Sequence, residues 1–316
     1  MDEINEDTWE GISASIRAAH KHPDFHWRLL KEKAGYKGFI EDAYWDTGSV
    51  IDNPEFVKSA YRLDSWLAGY HPDSRDHDDN NARQFTDADM STFEAYLATG
   101  GLELQKRKSD VVALKCASAY ERAIKFDKVD YDTAKGIFGK HPNVITEDEK
   151  DAFGNYIFHH FLGLAREFKL PIQLHTGLGQ LGGSNPMLLE SVIAANPDLT
   201  FVLFHGGFPW IYDTAALAHN YKNVVIDINW LPLISTKAAE TALHSYLEVI
   251  RDNHKICWGG DNWTSEEAYG ASMAFRHILT KVLSEKVDTS FYRLKDAERM
   301  IEKIMYQNAE EIYLGR

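Results

Sequence analysis

The sequence predicts an α/β fold of the (β/α)8 TIM-barrel type, and three observations carry that prediction. Short apolar runs alternate with longer amphipathic segments. The alternation recurs often enough to line a barrel. No GxGxxG follows an early run, which argues against a doubly wound dinucleotide fold. The strand-like runs are Tyr36–Glu41, Ala60–Asp64, Val111–Lys115, Ile172–His175, Phe201–His205, Val224–Asn229 and Ile256–Asp261. Helical spacing of apolar residues marks 156–170, 186–197 and 241–253, and RMIEKIMYQNAEEIYLG reads as two closing helices. LGQLGG, at 178–183, is glycine-rich but lacks dinucleotide spacing and reads as a loop. With helical returns between the strands, the expected sheet is parallel.

A chain of 316 residues, 44% of them hydrophobic, can fill one large barrel. The expected organisation is a single domain over 1–316, with 1–35 and 71–100 as helical or loop insertions. The net charge of −14 and the lack of a Lys/Arg cluster argue against nucleic acid as a partner. No apolar window is long enough to span a membrane. The opening MDEINEDTWEG is acidic, without an apolar signal core. Cys116 and Cys257 lie far apart, each in or beside an apolar run, and read as buried free thiols. A reducing cytoplasm is the expected compartment. The Asp-rich stretch at 71–89 reads as a solvated loop running into a helix N-cap, with a metal site as the alternative.

A barrel enzyme builds its site where the strands end. His175, His205 and Asp261 each close a separate apolar run, and Lys115 closes another. Period-two alternation places Gln173 and His175 on one face, Leu203 and His205 on one face, and Gly259 and Asp261 on one face. All six are expected to face the barrel interior. Asp227 and Asn229 share a face in the same way. Singly, each has an ordinary structural explanation: a hydrogen-bonding His, a helix-capping Asp, a snorkelling Lys. Together, imidazoles and a carboxylate at one depth suit a divalent ion such as zinc.

Several stretches resemble the amidohydrolase superfamily, in its amidohydrolase-related branch of metal-dependent hydrolases: PIQLHTGLG, NPMLLESVI, FVLFHGGFPW, NVVIDIN, GGDN, LKCASAYERAIKF and the closing MYQNAEEIYLG. The resemblance runs from about residue 108 onward and is fainter over WEGISASIRAAHKHPDFHWRLLKEKAGYKGFIED. It implies that His175, His205 and Asp261 are metal ligands. His205 and Asp261 would also be catalytic, with Lys115 beside them. The metal would be zinc or a similar divalent ion. The family opens with a strand ending in His-x-His. Here His20-Lys21-His22 matches only literally and reads as a surface turn, so that first strand is expected to be missing or replaced.

The implied activity is metal-dependent hydrolysis of a C–N or C–O bond in a small molecule. A decarboxylase of a small carboxylic acid, an isomerase on the same scaffold and a degenerate non-catalytic barrel stay open beside it. Arg122, Trp210 and Trp263 are candidate substrate contacts, with Arg62 a second candidate for a substrate carboxylate and Trp230 a further ring near the mouth; ion pairing and packing are the alternatives. The Ile256–Asp261 run is expected to pair in parallel with Val224–Asn229 and to leave an open edge. Either the barrel stays open there beside the second strand or a second copy of the chain covers the edge, and a homo-oligomer is the expected assembly. With so few family ligands, zinc is expected to bind weakly or not at all.

Overall fold

In the computed structural model, which describes residues 3–50 and 52–315, the chain forms one parallel sheet of seven strands in sequential order. The strands are β1 (Phe39–Glu41), β2 (Val57–Arg62), β3 (Val111–Cys116), β4 (Ile172–Leu174), β5 (Phe201–Leu203), β6 (Val224–Asp227) and β7 (Ile256–Cys257). Every apolar run read from the sequence supplies one strand. β4 to β7 are shorter than those runs because the polar closing residues have left the ladder, whereas β2 and β3 are each one residue longer than theirs. β7 pairs with β6 in parallel through Ile226–Ile256 and Asp227–Cys257, as expected. Among the described residues, β1 and β7 each have one strand neighbour, so the sheet is a curled, open barrel.

The helices are α1 (Trp9–Ala19), α2 (Phe25–Arg28), α3 (Asp64–Leu67), α4 (Phe93–Arg107), α5 (Tyr131–Ile137), α6 (Glu147–Phe168), α7 (Glu190–Ala195), α8 (Ile211–Asn220), α9 (Leu231–Ile234), α10 (Thr236–Val249), α11 (Ser265–Asp288) and α12 (Leu294–Glu302). Local chemistry fixes their starts. Thr146 and Thr264 head capping boxes with Glu149 and Glu267, which satisfy the free N–H groups of α6 and α11. The final closing element is π-helical, over Lys303–Gln307 and Glu310–Leu314. One expectation fails: the connection between β1 and β2 contains no helix among its described residues.

The sheet has two apolar sides. Ile172, Leu174, Phe201, Leu203, Val224 and Ile226 belong to the large core under the helices. Val202, Phe204, Val225 and Cys257 form a smaller cluster on the concave side, against Ala309, Ile312 and Tyr313. The Tyr313 hydroxyl accepts a hydrogen bond from Gln173 Nε2 at 3.1 Å, so the last π-helical turn packs into the open barrel. Leu203 therefore faces the helices rather than the interior, and Phe204 takes the inward position. The parity expected for β5 is one residue out of step, because the strand ends at Leu203 and the chain then kinks.

The gap between β7 and β1 is bridged by side chains. Tyr36 donates to Ala268 O at 2.8 Å, and its ring lies 6.2 Å from that of Trp258. Cys116 and Cys257 are buried free thiols, as expected. Among the described residues, no helix is long and apolar enough to cross a membrane.

Candidate active site at the C-terminal mouth

His175 is the first residue past β4, and its backbone N–H still donates to Cys116 O at 2.9 Å. His205 arrives differently. Its φ is +62°, a left-handed conformation that costs a non-glycine residue free energy, and Gly206 and Gly207 continue the turn at +55° and +63°. A Cβ on Gly207 would collide with Thr214 Oγ1, which accounts for the His-Gly-Gly sequence. Asn229 Oδ1 accepts the His205 N–H at 3.1 Å, and Asp227 Oδ1 accepts the Asn229 N–H at 3.0 Å. Asp227 thus braces the loop that carries His205. Burial pushes its carboxyl up to about 7.

The two imidazoles bond to each other: His205 Nε2 lies 2.9 Å from His175 Nδ1. Burial lowers the pKa of both rings. For His175 the nearby His205 and Lys115 add to the effect; His205 falls to about 4, with Asp261 opposing. Both rings are therefore neutral near pH 7, with one proton each. His205 Nδ1 stands 3.7 Å from Asp261 Oδ2. Placing the His205 proton on Nδ1, toward that carboxylate, makes Nε2 the acceptor and His175 Nδ1 the donor. This tautomer, assigned from the bonding pattern, leaves His175 Nε2 a bare lone pair. That atom is buried with no hydrogen-bond partner.

This arrangement does not make a three-ligand zinc cradle. Each ring spends one nitrogen on the other, and the remaining nitrogens point from opposite ends of the pair. Among the described residues, the ligand atoms of His175, His205 and Asp261 do not all come within 4.8 Å of one another. The three gather at one mouth without converging on one point. Asp261, at φ +54° and 42% side-chain exposure, lies in the loop after β7 rather than at a strand end.

Lys115 lies in β3 with its Nζ 3.5 Å from the centroid of the Phe204 ring. Burial lowers its pKa, while Asp42 and Asp261 oppose the shift. The Tyr120 ring lies tilted between two imidazoles, 4.3 Å from His175 and 5.2 Å from His77, centroid to centroid. Trp230 meets His205 at 5.3 Å.

The candidate substrate contacts lie elsewhere or are engaged. Arg122 donates to Asn155 Oδ1 at 2.5 Å and to Asp151 O at 3.1 Å, which ties it to α6. Trp210 sits half-buried at the start of α8. Trp263 is 75% exposed and touches the Tyr44 ring. Arg62 is shared by Asp42, Asp64 and Asp78, at 2.7, 3.3 and 3.4 Å. His20 caps α1 and pairs with Glu266, while His22 lies exposed in the turn beyond it.

Motif reading missed the groups clustered around Asp64, His77, Glu121 and Tyr120. The Asp-rich stretch signalled only His77 among them. It folds as an ordered loop in which Asp76 Oδ1 accepts the N–H groups of Asp78 and Asn80 at 2.9 and 2.8 Å. Ser74, Asp76 and Asn81 are buried, so the segment is not the solvated loop expected. Burial, followed by Asp64 and Asp76, pushes Glu121 up to about 8.

A parallel, curled sheet with helical returns, carrying a buried imidazole pair and a carboxylate at its C-terminal mouth, defines an α/β barrel of the TIM type. The amidohydrolase family model matches residues 135–314, and the chain belongs to that family. It is 34% identical over 149 residues to protein fluG of Emericella nidulans, a match covering 45% of this chain and 17% of that protein. The chain thus matches only a small part of the length of this curated relative.

Three solved structures share the fold. Uronate isomerase of Thermotoga maritima aligns at a TM-score of 0.78 and 16% identity, over 99% of this chain and 75% of that one. A Lactobacillus casei protein provisionally called a metal-dependent hydrolase aligns at 0.72 and 20%, over 92% and 76%. Glucuronate isomerase of Caulobacter crescentus aligns at 0.71 and 14%, over 95% and 68%.

Proposed function

We propose that the chain is a hydrolase of the amidohydrolase superfamily, acting on a C–N or C–O bond of a small molecule held at the barrel mouth. The observation that carries this reading is the buried, mutually bonded pair His175–His205, with Asp261 at its outer end. Two neutral imidazoles in series can take up a proton at His175 Nε2 and pass the Nδ1 proton on to His205 Nε2. Proton transfer of this kind contributes roughly 100- to 10,000-fold to catalysis. His205 is the central residue, since it alone contacts both partners. Asp261 stabilises the imidazolium that forms when His205 takes a proton. Lys115 supplies positive charge beside the site, which favours a substrate or intermediate carrying a negative oxygen.

A second reading, isomerisation, is favoured by the same relay, because proton transfer alone suffices for it. Both barrel isomerases described above share the fold, which leaves the reaction type to experiment.

The test is to incubate the purified protein in 18O-labelled water with panels of small amides, lactones and hydroxy acids, and to follow products by mass spectrometry. Hydrolysis puts one labelled oxygen into the product and a His205→Asn variant loses the reaction. A product of unchanged mass and composition would replace hydrolysis with isomerisation, and release of carbon dioxide would replace it with decarboxylation.

A further inference from the structure

Beside the imidazole pair, on the other side of Tyr120, three side chains from separate segments do converge. Asp64 follows β2, His77 comes from the Asp-rich loop and Glu121 follows β3, and their ligand atoms all lie within 4.8 Å of one another. Asp64 is fully buried, and His77 and Glu121 are half-buried. We infer that Asp64, His77 and Glu121 form a binding site for a divalent cation of the manganese or zinc class, distinct from the His175–His205–Asp261 group.

Three observations support it. First, the His77 ring is set as a ligand. Its Nε2 lies 3.3 Å from Asp78 Oδ2, and its Nδ1 is buried with no hydrogen-bond partner. A carboxylate on one ring nitrogen fixes the tautomer and leaves the other nitrogen basic, the pattern seen behind metal-bound imidazoles. Second, Asp76 is 6% exposed, and its Oδ2 also lacks a partner. Its Oδ1 accepts two backbone N–H groups, and the carboxylate acts electrostatically on Glu121 and is itself acted on by Asp64, so a half-satisfied carboxylate lies beside the cluster. A buried carboxylate oxygen with no donor is costly unless it is protonated or joined to a cation.

Third, carboxylates crowd this corner. Asp42, Asp64 and Asp78 share the Arg62 guanidinium. Asp76 and Glu121 add two more carboxyl groups, with Lys115 and Arg122 as the further cations acting on the group. Asp64 takes the Ala117 N–H on both oxygens at 3.0 Å, which aims the carboxylate and leaves lone pairs on its outer edge. Two carboxylates and one imidazole suit a borderline divalent ion better than the softer, thiolate-seeking metals.

The probe is Mn2+, titrated into the purified full chain at neutral pH and followed by the EPR signal of the free ion. One equivalent is expected to bind, with a rise in Tm. Glu121→Gln, which keeps shape and removes charge, and His77→Ala are each expected to weaken binding at least tenfold and to abolish that rise. His175→Ala and His20→Ala are expected to leave both readouts unchanged. Equal affinity in Glu121→Gln and the unaltered chain would overturn the site. So would loss of binding on His175→Ala, which would move the ion to the imidazole pair. Because the readout is binding, the result stands apart from whether the protein hydrolyses anything.

Discussion

Two polar groups share the mouth of this barrel, and they are built on opposite principles. His175 and His205 turn toward each other, each bonding one nitrogen to the other ring, and stay neutral. Asp64, His77 and Glu121 bring their ligand atoms around a common space in a corner crowded with carboxylates. The first group is equipped to move a proton and the second to hold a cation. Closeness along a barrel rim does not decide which; the direction of each lone pair does.

Arg62 gives the largest expected effect. Among the described residues its guanidinium is the Lys or Arg group ion-paired with Asp42, Asp64 and Asp78, so Arg62→Ala should remove that pairing from all three. A loss of about 3–5 kcal/mol in urea unfolding is expected. A loss below about 1 kcal/mol would show that the carboxylates are not under electrostatic load, and the contrast between the two groups would collapse.

The same contrast has a pH signature. Glu121 titrates near 8 when folded against 4.5 for the ordinary carboxyl. The folded state therefore holds a proton that the unfolded chain gives up, and stability falls as pH rises through that window. The lowered histidines act the other way. His205, near 4 against 6.5, destabilises the fold only as pH drops below 6.5, where the unfolded chain takes up the proton. Between pH 6.5 and 8 the carboxyl effect stands largely alone, with a slope bounded by about 1.4 kcal/mol per pH unit for each proton. Glu121→Gln should flatten that limb in denaturant melts at several pH values. An unchanged limb would place the effect elsewhere, with Asp227 the first alternative.

On the imidazole side, Gly207→Ala should sharpen the comparison by disturbing His205 without touching its chemistry. The new Cβ meets Thr214, and the backbone is left-handed, so a cost of about 1–3 kcal/mol in thermal unfolding is expected. The smallest effect belongs to Trp263. At 75% exposure, Trp263→Ala should change stability by less than about 0.5 kcal/mol. Measured activity that fell sharply in this variant would make the ring a substrate contact.

The fold was legible because burial writes a repeating pattern. Each apolar run became a strand, and β6 and β7 paired as their order required. His175, ending PIQLH, could be placed from alternation alone, with Gln173 on the same side. His205 could not. Its position depends on a left-handed kink that breaks the alternation, so Leu203 faces the helices although His205 reaches the mouth. The Asp64–His77–Glu121 group was invisible for another reason. Its members come from three segments with no shared motif, brought together by the parallel pairing of β2 with β3 and by the turn that Asp76 ties.

The tyrosine packed into the concave side has a consequence for how the protein is made. Tyr313, Ile312 and Ala309 form the far wall of the small cluster on β5, β6 and β7. Synthesis runs from the N-terminus, so these residues leave the ribosome after every strand they cover. Until then Val202, Phe204 and Val225 stay wet, and Gln173 lacks its tyrosine partner. The sheet can curl early, but its inner surface dries only when the last turn arrives, so a nascent chain halted before residue 309 should expose a greasy trough to chaperones.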